Sequence, residues 1–300
     1  MTVANTTHAT LHANRPTRAI VLVLTAMFTF AVMDGMAKIL QRSLPIPQIM
    51  WVRNIVFCTL ALSLMRAQGL PLRATWNSQR PWLQLARALL QIIESATFLI
   101  AFRLMPLADV HAIAAMAPLL VVGLSVPILG EYVGWRRWLA VLVGFSGVLL
   151  IVRPGFERIT PSISIALLGA CLWALYQIMV RLCSRSDASQ TTSLWTAVVG
   201  LLATTLVGPA LWVWPDTQGW LMLGAIAVLG TFSHMALINA YSLTQPSLLQ
   251  PYNYTLFIWA VVVGYILFGD IPDAWTWAGA AIIISSGIYV WNRARLKSPN

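Results

Sequence analysis

Arg87, Gln91, Glu94, Ser95 and Phe98 recur at i, i+4, i+7, i+8 and i+11 within a run of otherwise apolar residues. On an α-helix that spacing lays all five along one face. A base, an amide, an acid and a hydroxyl are thereby carried into an oily segment. A carboxylate there can take up a proton if burial disfavours its charge, or it can pair with a cationic group of a bound molecule. The structural alternative has Arg87 extend its head to a polar interface while Glu94 hydrogen-bonds across a helix bundle.

Other candidates are scattered along the chain. Asp34 and Lys38 stand at i, i+4, close enough to pair on a helix, with Asp34 a cavity residue and Lys38 an interfacial anchor. The run Gln250-Pro251-Tyr252-Asn253-Tyr254-Thr255 puts a proline and polar aromatics into an apolar segment. Irregular backbone of that kind is tolerated in an apolar medium where it lines a cavity or is buried in protein. Tyr252 and Asn253 are therefore candidates to contact a flat or amphipathic organic solute, and Tyr176 in Trp173-Ala-Leu-Tyr176-Gln177 is a similar case. His111 and His234 are isolated, without acid or thiol partners at ligand spacing, so no metal site is expected. A lone histidine of this kind reads as a hydrogen-bonded packing residue, and His111 is taken as one.

Signatures of hydrolysis are missing. There is no GxxxxGK[ST] loop and no HExxH pair, and Gly144-Phe-Ser146-Gly147 is not a nucleophile elbow. No cofactor is implied. An intramembrane enzyme stays open only without these signatures, and a channel only without a ring of like charges.

The elements that must hold these residues follow from composition. Hydrophobic residues make up 59% of the 300, charged residues 9%, and the mean hydropathy is +0.76. Soluble domains carry about 25% charge, so a polytopic membrane protein in a lipid bilayer is expected. Residues 1–17 are polar, lead directly into an apolar run and show no cleavable signal pattern. Ten segments approach the ~20 apolar residues a span needs: 18–39, 47–66, 82–103, 107–129, 135–152, 161–183, 190–213, 219–241, 247–268 and 273–292. The net charge of +10 sits in short loops, which makes it a topology signal rather than a nucleic-acid footprint. Of the nineteen Lys and Arg, twelve fall on one side and five on the other, with Arg53 and Arg87 inside spans. The richer side should be cytoplasmic, with both termini on it. Trp135, Trp138, Trp212, Trp214, Trp275 and Trp277 fall at helix ends, where an interfacial belt wants them. Cys58, Cys171 and Cys183 read as packing residues.

The chain also repeats itself. Ala101-Phe102-x-Leu104 returns as Ala240-Tyr241-x-Leu243, and Gly130-Glu131 as Gly269-Asp270, both 139 positions on. Phe30, Asp34 and Lys38 line up with Trp173, Gln177 and Arg181 at an offset of 143, and Ser95 with His234 at 139, beside Glu94. Segments 1–5 thus correspond to 6–10. Because five is odd, the second half enters the bilayer from the opposite side. Inverted halves whose roles can exchange open a central site to either side in turn, which is the physics of a secondary carrier. Gly144, Gly147, Gly224, Gly230, Gly279 and Gly287 let helices approach closely.

The two five-helix halves, the Gly-Glu and Gly-Asp marks and the run GWRRWLAVLVGFSGVLLIVRPG resemble the EamA-type branch of the drug/metabolite transporter superfamily over residues 18–292. The resemblance implies an all-α protein of ten transmembrane helices in two inverted repeats (18–152 and 161–292). A polar tail (1–17) and a basic tail (293–300) flank them, with both termini cytoplasmic in a bacterial inner membrane. It also implies that Arg53 is a cavity-facing cation for an anionic group. The expected activity is secondary transport of a small organic metabolite, proton-coupled or by exchange, and a single chain of ten helices can do this as a monomer. Family substrates include amino-acid derivatives, metal-chelating small molecules, riboflavin and S-adenosylmethionine. Acids and bases together favour a zwitterionic solute. The expected lining is Asp34, Arg53, Arg87, Glu94, Tyr176, His234, Tyr252 and Asn253.

Overall fold

The computed structural model describes residues 16–130, 134–152, 161–244 and 246–295, and every regular element among them is helical. Glu131 of the repeated Gly-Glu mark lies outside the described residues. The first part of the chain forms α1 (Pro16–Leu40), α2 (Ile46–Ala67), the short α3 (Leu72–Trp76), α4 (Pro81–Leu104), α5 (Leu107–Ala114), α6 (Ala117–Leu129) and α7 (Trp135–Val152). The second forms α8 (Pro161–Ser184), α9 (Ser189–Thr205), α10 (Thr217–Leu243), α11 (Pro246–Asn253), α12 (Thr255–Phe268) and α13 (Ala274–Arg295). Prolines open α2 and α4 in the first turn, where a missing N–H costs nothing. Asp216 caps α10 by accepting from Gly219 N at 2.7 Å.

Among the described residues eight stretches are long and apolar enough to cross a membrane, with α5–α6 and α11–α12 each counted as one. The expected ten are therefore met only in part. The segment expected over 190–213 ends as a helix at Thr205, because Gly208-Pro209 opens a 3-10 turn instead of continuing it. At 17 residues α9 is short, and α7 offers only Trp138–Val152 as an apolar stretch. Ile93, Leu142 and Val228 are 55%, 65% and 53% exposed although each lies well inside a helix. Large apolar side chains turned outward at mid-helix suit hydrocarbon and not water. Of the expected belt, Trp135, Trp138, Trp214, Trp275 and Trp277 are exposed and Trp212 is half-buried. Cys58 and Cys183 are buried as expected, but Cys171 is exposed on α8.

The packing repeats as the sequence does. α1 lies along α10, and its counterpart α8 lies along α4. α1 also packs on α12 as α8 packs on α6, while α2 pairs with α9 and α7 with α13. The last pairing is set by two glycines. A Cβ on Gly147 would come 2.6 Å from the Gly279 carbonyl oxygen, and one on Gly279 would come 2.5 Å from that of Gly147. Only bare backbone fits at that crossing, as the small-residue pattern implied.

Two segments are broken at the same place, one read as continuous (107–129) and one expected to loosen at Pro251 (247–268). The span 107–129 divides at Ala115-Met116, and 247–268 divides at Tyr254, which is 139 positions beyond Ala115. Pro118 has no N–H to return to the Ala114 carbonyl, so the α-helical ladder stops there. In the other half Pro251, inside α11, interrupts the ladder just before the break. Both broken helices end alike, on Gly130 at φ 71° and Gly269 at φ 72°. These are left-handed C-caps, which glycine adopts without a Cβ penalty.

Candidate functional site

The two breaks face one cavity. Its wall takes Met27, Phe30, Met33 and Asp34 from α1, Arg53 from α2, and Glu94, Ser95, Phe98, Leu99 and Phe102 from α4. His111 and Ala114 come from α5, Trp173 from α8, His234 from α10, and Ala115, Pro118, Asn253, Tyr254, Leu256 and Phe257 from the two breaks. Of the five-residue stripe read from the spacing on α4, Glu94, Ser95 and Phe98 share this wall, and Arg87 and Gln91 do not. Glu94 is buried and receives the Ser95 hydroxyl at 3.4 Å.

Arg53 reaches the cavity because α10 gives way to it. A Cβ on Gly230 would meet Arg53 Cδ at 3.1 Å and Met33 Sδ at 2.9 Å. The guanidinium is buried, and its Nη2 has no hydrogen-bond partner among the described residues. No carboxylate lies within 4.0 Å of it among those residues. The acids its charge acts on through space are Glu94 and Asp34. His234 meets Gln91 Nε2 at 3.3 Å through its Nε2, leaves Nδ1 unpartnered among the described residues, and stands edge-on to Phe30 at 4.9 Å.

Five of the eight sequence candidates come together here: Asp34, Arg53, Glu94, His234 and Asn253. Three do not. Arg87 is completely buried away from the cavity wall, donating through Nε to Gln84 Oε1 at 3.2 Å and through Nη2 to the Thr192 carbonyl at 3.1 Å. It neither lines the cavity nor reaches an interface, because a polar cluster shared by α4 and α9 captures it. Gln84 extends that cluster to Asp187 at 2.8 Å, and Asp187 accepts from Gln79 N at 2.9 Å. Beside it Trp76 stacks on Trp195 at 4.3 Å. Tyr176 is fully buried against Trp173, at 5.7 Å between ring centroids, and Tyr252 is half-buried; both stay off the wall.

One pairing that the spacing allows does not form, and one local expectation is corrected. Asp34 does not pair with Lys38, whose ammonium donates instead to the Met105 carbonyl at 2.7 Å and sits 5.2 Å from the Phe268 ring centre. The carboxylate turns to His111, with Nε2 3.3 Å from Oδ2, an ion pair when the ring is protonated. His111 is thus a wall residue and not simple packing. The missed signal was available. At the 139 offset His111 corresponds to Gln250, and at 143 Asp34 corresponds to Gln177, so both ionisable residues replace amides.

The sequence that builds this cavity matches a known family. The EamA-like transporter family model matches residues 17–153 and again 160–292. The chain belongs to the EamA-like transporter family. Among curated EamA-type relatives, the riboflavin transporter of Vibrio cholerae is 26% identical over 92% of this chain and 94% of its own length. The S-adenosylmethionine uptake transporter of Rickettsia prowazekii is 23% identical over 89% and 90%. The pseudopaline exporter of Pseudomonas aeruginosa is 27% identical over 88% and 93%. A crystal structure 18% identical to the chain superposes with a TM-score of 0.66 over 94% of this chain and 99% of that one, so the fold is shared. This EamA-like chain is a multi-pass membrane protein that transports a small molecule, and it is not an enzyme.

Proposed function

We propose that the protein is a secondary carrier that moves a zwitterionic or amphipathic organic metabolite by alternating access. The observation that carries this reading is the company Arg53 keeps. A permanently charged guanidinium is buried with an unpartnered nitrogen in the same cavity as the Glu94 carboxylate, between aromatic walls. Buried charge is expensive unless paired, and an intramembrane charge is ordinarily functional. A solute carrying both an anionic and a cationic group relieves Arg53 and Glu94 together. Asn253 and His234 add directional hydrogen bonds, and Phe98, Trp173 and Phe257 supply flat contact area. Riboflavin, S-adenosylmethionine and pseudopaline are the solutes named for three relatives. They are the first compounds to test.

In this reading α7 and α9 also cross the bilayer, bringing the spans to ten. Residues 18–152 and 161–292 are inverted halves, and both termini face the cytoplasm of a bacterial inner membrane. One chain encloses the whole pathway, so a monomer suffices. A C-terminal green fluorescent protein fusion is expected to fluoresce in cells, since that reporter folds in the cytoplasm; a dark, full-length fusion would refute the orientation.

Purified protein in proteoliposomes loaded with a mixed bacterial metabolite extract, scored by mass spectrometry against protein-free liposomes, tests the activity. Protein-dependent loss of an organic solute bearing both charge signs or an amphipathic ring is expected. Movement of inorganic ions alone would overturn the reading in favour of a channel.

A further inference from the structure

Asp34 and three positions around it have counterparts in the other half, and only one of the two sets contains an acid and a base. Asp34 corresponds to Gln177 at the 143 offset; Phe102, His111 and Ala114 correspond to Tyr241, Gln250 and Asn253 at 139. In the second half these residues form a neutral hydrogen-bonded network. Gln177 Oε1 accepts from the Tyr241 hydroxyl, from Gln250 Nε2 at 3.1 Å and from Asn253 Nδ2 at 3.3 Å, and Asn253 also donates to Gln250 Oε1 at 3.0 Å. In the first half the same places hold a carboxylate and an imidazole 3.3 Å apart, a phenyl ring instead of a phenol, and a methyl instead of an amide. Every change runs one way. The neutral donors disappear, an ionisable pair takes their place, and the Phe102 ring lies 5.2 Å from His111, where it can face an imidazolium. Tying a broken helix to its neighbour needs none of this, because the amide set does that job in the other half.

Resting on the carrier reading above, we propose that Asp34 and His111 form the proton-binding site that couples solute movement to a proton gradient, with Gln177 and Gln250 its inert counterpart. With one proton the pair is neutral, whether the proton sits on the imidazole or on the carboxylate. Without it, the pair holds one negative charge. His111 Nδ1 is buried and unpartnered among the described residues, so the ring has a second position that can exchange a proton. The titratable groups sharing the wall are Arg53 from α2, Glu94 from α4, His234 from α10 and Tyr254 at the α11–α12 break. α6, α8 and α12 contribute only untitratable residues to the wall, while α7 and α13, which also pack on α5, contribute none. Lys38, one turn along α1, is occupied by the Met105 carbonyl. Proton release therefore changes by one unit the net charge a solute meets in a low-dielectric space. A unit charge matters there far more than in water, so proton occupancy and solute occupancy must be linked.

The test uses the full chain in proteoliposomes with the membrane potential clamped by potassium and valinomycin. The probes are riboflavin, S-adenosylmethionine and the mixed extract. A one-unit pH gradient should drive wild type to about a ten-fold concentration ratio of the moved solute, since one pH unit is a factor of ten in proton activity and one proton is carried per cycle. Asp34→Gln with His111→Gln should bring that ratio to about one, while gradient-free exchange of labelled for unlabelled solute, lowered because both residues line the cavity, stays above protein-free liposomes. A quadruple variant adding Phe102→Tyr and Ala114→Asn transplants the whole neutral network, guards against misfolding, and should behave alike. Continued gradient-driven accumulation by a folded variant would overturn the proposal. Wild type that exchanges solute yet ignores the gradient would overturn it while sparing the carrier reading; wild type that moves no organic solute would overturn both.

Discussion

Arg53→Met is expected to cut solute flux by roughly 30-fold to several thousand-fold while leaving the unfolding midpoint unchanged or raised. The two halves of that expectation come from the same observation. Arg53 is buried, makes no ion pair within 4.0 Å among the described residues and leaves Nη2 unpartnered. Its desolvation is therefore poorly compensated in the absence of solute. Replacing such a charge with a well-packed apolar side chain is often neutral or stabilising. Methionine follows the same path past Gly230 without a charged head to desolvate. Transport responds oppositely. Truncating one member of a buried charge pair costs about 2–5 kcal/mol, and each ~1.4 kcal/mol is a factor of ten. Arg53→Lys should recover part of the flux, since it keeps the charge and loses the planar fork. Initial rates with whichever solute moves in the mixed-extract assay, alongside thermal unfolding, check both halves. An arginine that merely staples α2 to its neighbours would show the reverse: a lower midpoint and flux reduced only in proportion to folded protein.

Much of this site can be read from the chain because two rules act without tertiary help. Ionisable residues in apolar spans turn inward, which picks out Asp34 and Glu94, while the family resemblance adds Arg53. The α-helical period then carries Ser95 and Phe98 onto the wall with Glu94. What escapes depends on neighbours remote in sequence. Arg87 obeys the inward rule yet ends in a polar cluster, because Thr192 and Asp187 of the second half come to meet it through Gln84. Lys38 has the spacing to pair with Asp34, but a free carbonyl at Met105 and the Phe268 ring compete for its ammonium. The break at Ala115-Met116 is hidden because the residues around it are uniformly apolar. Only Pro118 marks it, and a proline in the first turn of a new helix looks the same as one that bends a continuous helix.

His111 shows how a repeat can be used further than a count of spans. Viewed alone, it is an isolated histidine, a type that is usually satisfied by packing. Viewed against Gln250, it is one of two linked replacements, and the other is Asp34 against Gln177. A pair of coupled departures from internal symmetry points to chemistry that one half performs and the other does not.

The neutral half makes its own strong prediction. Gln177→Leu is expected to destabilise the protein by about 2–5 kcal/mol, and more severely than any single change to the Asp34–His111 pair. Gln177 Oε1 is the common acceptor for Tyr241, Gln250 and Asn253, so its loss removes three hydrogen bonds joining α8 to α10 and α11. Interhelical hydrogen bonds in membranes average ~0.6 kcal/mol and reach ~1.7, because the helices also find partners when separated; three of them span the stated range. The donors left behind cannot all rearrange. Asn253 keeps Gln250 Oε1 at 3.0 Å and Tyr241 Oη at 3.3 Å, whereas the Tyr241 proton and Gln250 Nε2 lose the acceptor they share. Gln177→Glu, which preserves an acceptor at Oε1, should restore most of the unfolding midpoint. The measurement is thermal unfolding in detergent, followed by solute exchange at a temperature where both variants are folded. A leucine variant as stable as wild type would mean the network is dispensable, and the contrast with Asp34 and His111 would then lose its inert reference. A leucine variant that is destabilised while its folded fraction still exchanges solute would place the two halves in different roles, one holding the broken helix and the other exchanging the proton.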